Sequence, residues 1–290
     1  MRMDAHVHFY EYDPLKHRWV TDELSALRGN YRPADLMPLM SAAGFDGCVA
    51  VEARQSVEEN AYLLDLLDRY EKVKAVVGWV DLCDPGVGDE LDRWADRAGF
   101  AGVRHVLTDE PDEMYMLRSD FQRGIRMLTP KGLLYELLVA PRHLEYAARL
   151  VAAHPDQPFI VDHLALPDVR GNVLQPWADR LLALASFENV SCKLSGLDLM
   201  AVWHSWQPAQ FVPFFDVALQ AFGPDRLMVA SNWPVCTVSG SYAEVMEAVQ
   251  GWVYRLPDRD RDAILGGTCA RMYGIPDLSE PTTDTAGRVA

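Results

Sequence analysis

Eight short apolar runs, each followed by a longer amphipathic stretch, recur from one end of the chain to the other, and this alternation limits the fold more than any other feature. The runs are 1–8 (MRMDAHVH), 45–53 (FDGCVAVEA), 73–82 (VKAVVGWVDL), 100–106 (FAGVRHV), 133–139 (LLYELLV), 158–164 (PFIVDHL), 189–196 (NVSCKLSG) and 226–233 (RLMVASNW). Most are continuous in Val, Ile and Leu, as expected of parallel strands covered on both faces. Helical patterns fill the gaps, among them 57–71 and 141–154, with further helices expected at 242–256 and 258–272. Ser56 with Glu59 three residues on predicts a capping box for the first, and Pro141 suits the first turn of the second. Eight strand-then-helix units in about 270 residues predict an α/β chain folded as one (β/α)8 TIM barrel over 1–276. A doubly wound open sheet is the rival. The polar tail 277–290 is expected to be flexible.

Composition narrows the function classes. A chain of 290 residues buries roughly three quarters of its unfolded surface and needs no disulfide or metal staple. With 27 basic and 42 acidic residues the net charge is −15, which would repel phosphates and argues against a nucleic-acid partner. There is no run of 18 apolar residues and no apolar signal core at the start, so neither a membrane span nor export is expected. Cys48, Cys83, Cys192, Cys236 and Cys269 are odd in number and scattered without a CxxC, and read as reduced thiols of a cytoplasmic protein. The expected partner is a small molecule. No heptad or apolar stripe sets an oligomeric state, and a homo-oligomer stays open.

The polar residues fall at the strand ends, where a barrel carries its active face. They are His6 and His8, Glu52 with Arg54, Asp81, Arg104 with His105, Asp162 with His163, Lys193, and Asn232. His6 and His8 are two apart on a strand, so both rings share a face with Cα atoms roughly 6–7 Å apart. That suits joint metal ligation or a joint grip on a carboxylate or carbonyl; the plainer alternative is two core imidazoles bonded to backbone. His163 is expected to point inward and Asp162 to the opposite face, with a supporting role for His163 as the alternative. Arg104 offers a planar fork for a carboxylate or sugar oxygens, or else a buried salt bridge to Asp81 or Glu52. Lys193 is an electrophile or an ion-pair partner. Glu136 is a paired interior carboxylate or a supporting ligand. Trp19, Trp79 and Trp233 suit packing, although Trp233 adjoins Asn232 at the rim. The stretch 109–120 is expected to wall the site, with Asp109, Glu110, Asp112 and Glu113 a solvated surface; His204 either reaches the site or is a plain loop residue.

In order along the chain, DAHVHFYEYD (4–13), VEARQSVEENAYLL (51–64), VVGWVDL (76–82), GVRH (102–105), VDHLALP (161–167), CKLSGL (192–197), SNWPVC (231–236) and GGTCARMYGI (266–275) form a specific series. It resembles the amidohydrolase superfamily, in the branch of sugar-lactone and pyrone-dicarboxylate lactonases. The resemblance implies a barrel hydrolase that opens a small polar lactone with water, such as L-fucono- or L-rhamnono-lactone or a pyrone carboxylate. It implies that His6, His8 and His163 surround and polarise the carbonyl, either directly or through one divalent metal such as zinc. Arg54, Arg104 and His105 would hold the substrate, with Glu136, Lys193 and Trp233 also on the substrate side. Strand four ends in Arg-His where binuclear relatives carry a bridging lysine, and strand five offers Glu136 where they carry histidine. One metal or none is therefore expected. Asn232 departs from the pattern, because relatives usually have a proton-accepting Asp there. An amide can hold the attacking water but cannot take its proton, and losing a general base typically costs about 10²–10⁴ in rate. Three explanations stay open: a deliberate substitution, another base such as Glu136, His8 or His163, or different chemistry. The last includes decarboxylation, C–C or C–N hydrolysis, and binding without turnover.

Overall fold

The computed structural model describes residues 1–276; the tail 277–290 lies outside them. Eight strands are present: β1 Met3–Val7, β2 Gly47–Val51, β3 Val73–Gly78, β4 Phe100–Val106, β5 Leu134–Leu138, β6 Phe159–Val161, β7 Val190–Leu194 and β8 Leu227–Val229. All neighbours pair in parallel, in chain order from β1 to β8. The ring closes just beyond β8, where His8 N donates to Trp233 O (2.7 Å) and Asn232 N donates to His6 O (2.9 Å). Closure excludes the open doubly wound sheet. The chain is a (β/α)8 barrel.

Helices α1 (Pro33–Ala42), α2 (Val57–Arg69), α3 (Val87–Ala95), α4 (Ser119–Arg126), α5 (Leu144–Ala153), α6 (Trp177–Ala185), α7 (Leu197–Met200), α8 (Val212–Phe222) and α9 (Tyr242–Val253) surround the strands. The helix expected at 258–272 is instead broken: α10 (Asp258–Asp262) and α11 (Thr268–Met272) flank a π-turn over Ala263–Gly267. There the backbone of Met1 lies against Gly266, with no room for a side chain. The predicted capping box of α2 does not form. Glu59 turns back to the β2–α2 loop, accepting from Ala53 N (2.5 Å) and Arg54 Nε (2.8 Å), while the Ser56 hydroxyl bonds Glu58.

Side chains alternate across each strand, and so the core has two parts. Met3, Ala5, Val49, Val51, Ala75, Val77, Leu134, Ile160 and Met228 fill the barrel, which Cys269, Tyr273 and Ile275 seal at the end where the strands begin. Residues such as Val7, Val76, Val103, Leu137, Phe159, Val161 and Leu194 pack outward against the helices. The five cysteines are free, and all but Cys83 are buried. Among the described residues no helix is long and apolar enough to cross a membrane.

Candidate active site

Between Asp4 and Val7, β1 advances three residues while β2 advances two. The extra residue is a bulge, which changes the phase of the strand. Below it Ala5 faces the barrel interior; above it His6 and His8 do. Both imidazoles thus reach the C-terminal mouth, where they meet the ends of β2, β4, β5, β6 and β7.

His6 sits in a fully buried charged layer. Lys193 Nζ lies 2.6 Å from Glu136 Oε2, 3.0 Å from Asp162 Oδ1 and 2.9 Å from His6 Nδ1. Arg104 donates from Nε to Glu52 Oε1 (2.8 Å), from Nη2 to Glu52 O (2.7 Å) and from Nη1 to Asp162 Oδ2 (3.3 Å). The ion-pair alternative for Arg104 is therefore present, with Glu52 as partner. Two cations face three carboxylates, and burial decides how these titrate. Burial raises Glu52 to about 7 against the pull of Arg104. Burial, and then Asp162, raises Glu136 to about 7 against Lys193. Burial also opposes ionisation of Asp162, but Lys193 and His6 outweigh it and hold that carboxyl well below its usual range.

His163 enters by an unusual backbone route. β6 ends at Val161, and His163, Leu164, Ala165 and Leu166 then take left-handed φ values of 52°, 52°, 56° and 54°. Each such residue costs roughly 1–2 kcal/mol relative to the right-handed form. The turn is pinned by Leu166 N to His163 O (2.9 Å) and by Trp177 Nε1 to Leu164 O (2.7 Å). Strand alternation stops at Val161, so Asp162 does not face away as expected; it and His163 both point into the mouth. His163 Nδ1 lies 2.7 Å from Ser195 Oγ, and its ring centroid is 4.6 Å from that of His6. Gly196, at φ +73°, passes so close that a Cβ there would sit 2.8 Å from His163 Cβ. Burial lowers His163 to about 4 and His8 to about 3, and lowers His6 well below its usual value. All three rings are neutral at pH 7.

Above this layer opens a cavity of about 550 Å³, walled by His8, Glu52, Arg54, Arg104, His163 and Asn232, with Trp19, Lys16 and Arg18 over it from the β1–α1 loop. Asn232 holds a left-handed φ of 59°, and its buried Oδ1 has no partner. Other residues expected at the site lie elsewhere. His105 alternates with Arg104 and so points out of the barrel, where it pairs with Glu110 (2.8 Å), accepts from Trp79 Nε1 (3.3 Å) and stacks on Tyr115. Asp81 is exposed in a turn, accepting from Cys83 N. His6, Glu136 and Lys193 have no exposed surface and underlie the pocket instead of lining it. Trp233 packs on Phe9 and Tyr31. His204 lines a separate surface hollow with Trp206 and Trp252. Of the acids after β4, Asp109 walls the cavity and Glu110 holds His105, so these two are not merely solvated. Sequence reasoning missed Ser195, Lys16 and Arg18 and read Trp19 as packing, and only the CKLSG run hinted at the serine.

His6, Asp162 and His163 offer donor atoms within 4.8 Å of one another, a set that can hold a divalent metal ion. Asp162 takes the place expected for His8. The residue types fit one ion, while Lys193 and Arg104, already against the same atoms, compete with it.

A closed (β/α)8 barrel with a His-x-His at the mouth of its first strand, set over buried carboxylates, defines the amidohydrolase class of barrel. Within that class the chain belongs to the Amidohydro_2 amidohydrolase family, whose model matches residues 3–275. It is 36% identical over 291 residues to an L-fucono-1,5-lactonase of Burkholderia multivorans, covering 97% of this chain and 98% of that one. It is 30% identical over 279 residues to an L-fucono-1,5-lactonase of Burkholderia ambifaria, covering 94% and 96%. A crystal structure of an amidohydrolase from Burkholderia multivorans with bound zinc matches at TM-score 0.90 and 36% identity, covering 95% of this chain and all of the other.

Proposed function

We propose that this chain hydrolyses a small polar lactone, with sugar-acid lactones of the L-fucono type ahead of pyrone carboxylates. The observation that carries the reading is the pocket itself: two neutral imidazoles, a fixed guanidinium and an unpartnered amide oxygen converge on a lactone-sized hollow. The similarity to L-fucono-1,5-lactonases along nearly the whole chain supports it.

Arg104 has five N–H donors, of which Glu52, Asp162 and His6 engage four. One, on Nη2, remains to meet the carbonyl oxygen and to stabilise the negative charge that develops there. Asn232 Oδ1 accepts a hydrogen bond from the attacking water and aims its oxygen at the carbonyl carbon. His163, neutral at pH 7 and braced at Nδ1 by Ser195, takes the water's second proton. The new C–O bond forms, the ring C–O bond breaks, and the leaving alkoxide takes the proton back from His163. The product is an open hydroxy acid. One divalent ion such as zinc, held by His6, Asp162 and His163, would when bound supply Lewis-acid polarisation of the carbonyl. His163 cannot be ligand and base at once, so on this reading the step belongs to the metal-free form and chelation does not lower the rate.

The test is a pH-indicator assay on a panel of aldonolactones and pyrone carboxylates. Turnover of a sugar lactone is expected, with kcat/KM falling at least a hundredfold in Arg104→Ala. The reading is overturned if neither this chain nor Asn232→Asp opens any lactone.

A further inference from the structure

The connection from β4 to α4, residues 107–118, is anchored by two buried side chains, Leu107 at its start and Met116 near its end. Between them none of residues 108–115 is buried, yet Thr108 and Asp109 wall the pocket. Whatever holds this span therefore shapes one side of the pocket.

His105 leaves β4 on its outer face and is gripped on four sides. Tyr115 stacks on its ring (centroids 5.2 Å apart, planes 5° apart), and Phe121 meets the ring edge-on at 5.9 Å. Trp79 Nε1 lies 3.3 Å from Nδ1, and Glu110 Oε1 lies 2.8 Å from Nε2. An indole N–H can only donate and a carboxylate can only accept. Both partners therefore require the same arrangement, a lone pair at Nδ1 and a proton on Nε2. One ring thus ties Glu110 and Tyr115, which flank the exposed turn 111–114. The other ties on the span are weaker. Tyr115 Oη meets Cys83 Sγ at 3.4 Å. Arg142 donates from Nη2 to Thr108 O (3.2 Å) and lies 3.4 Å from Glu113. The Arg142 and Glu113 side chains are 50% and 47% exposed, where an ion pair contributes little. In the His105–Glu110 pair the exposures are only 10% and 23%.

We propose that His105 is a positioning residue for the pocket wall: from outside the barrel it pins Glu110 and Tyr115, and so fixes Thr108 and Asp109 where a substrate meets them. The consequence for catalysis rests on the lactonase reading. A wall that touches substrate and transition state alike governs KM and leaves kcat as it is.

Glu110 lies near the surface, so it can be changed without opening the core. Hydrogen exchange of the full-length protein is followed over 107–118, where the amides of Tyr115 and Leu117 donate to Asp112 O (2.9 Å) and Met114 O (2.8 Å). Glu110→Ala is expected to speed exchange there about tenfold. Glu110→Gln keeps an oxygen that accepts from His105 Nε2–H and is expected to stay within about threefold of the parent, as is Arg142→Ala. On the lactone turned over best, E110A is expected to raise KM about fivefold with kcat unchanged, and E110Q to keep the parent KM. The proposal is overturned if E110A exchanges like the parent, if E110Q or Arg142→Ala opens the segment as far as E110A does, or if KM fails to rise in E110A. Exchange needs no substrate, so if no lactone is opened the lactonase reading falls while the exchange comparison still decides the clamp.

Discussion

In the proposed mechanism His163 takes the proton that an aspartate on strand eight would otherwise take, and the residue-scale predictions turn on it. Burial lowers its pKa to about 4. A base must be unprotonated, so His163 should set an acid limb of kcat/KM near pH 4, separate from any change near 7 that Glu52 and Glu136 contribute. Complete loss of activity between pH 6 and 5 would be incompatible with that environment. Replacing His163 with Asn should cost about 10²–10⁴ in kcat, whereas Asn232→Asp should change kcat less than tenfold. A hundredfold gain in the aspartate variant would instead mark Asn232 as a disabled base. Asp198 bears on stability. It is buried, neither of its oxygens has a partner, and burial raises it to about 7. The folded state therefore binds a proton that the unfolded state releases near pH 4, and stability falls as the pH rises from about 4 to about 7. The slope is at most about 1.4 kcal/mol per pH unit. Asp198→Asn should remove this component, so the stability gap between variant and parent in urea melts should widen from pH 5 to 7. A gap that stays constant would show that the carboxyl is not held protonated.

At the scale of the element, the informative piece is β6 with the left-handed turn that ends it. Eight strands were legible as apolar runs, but β6 and β8 span only Phe159–Val161 and Leu227–Val229. Both stop early because the backbone leaves the extended region to aim Asp162, His163 and Asn232 at one point. No propensity predicts four consecutive non-glycine residues at positive φ; the packing around them does, through Trp177 and Gly196. Gly196→Ala meets both the strain of φ +73° and the clash with His163 Cβ. It should destabilise the fold by about 1–2 kcal/mol and lower kcat by at least tenfold by displacing His163. If Tm falls while kcat holds, Gly196 serves the turn alone. Period-two alternation also explains what the sequence could show at β4. Arg104 and His105 are neighbours, and a strand cannot send both to one face.

For the whole molecule, closure ties the first strand to the last. The backbone bonds of His6 and His8 to Asn232 and Trp233 make the HxH and SNWP segments, over 220 residues apart in sequence, parts of one surface. The C-terminal segment carrying Tyr273 seals the barrel, and no strand can be removed without opening the ring. We therefore propose that the described chain unfolds as one unit. Calorimetry should show a single transition whose van't Hoff and calorimetric enthalpies agree, with a heat-capacity change of about 4 kcal/mol/K. Two resolved transitions would contradict a single barrel domain.

The sequence by itself determined the barrel, the ends of the strands that carry chemistry and the family, because hydrophobic periodicity and the order of the motifs are local properties of the chain. His6, His8, Arg104, His163 and Asn232 could all be picked out this way. Only the tertiary structure decided that Asp162 joins His163, that His105 leaves the site, and that Glu136 and Lys193 lie beneath the pocket. Those outcomes depend on a bulge in β1, a left-handed turn after β6 and contacts across the barrel between residues far apart in sequence. A pairing that forms only when the ring closes leaves no trace in the spacing of residues along the chain.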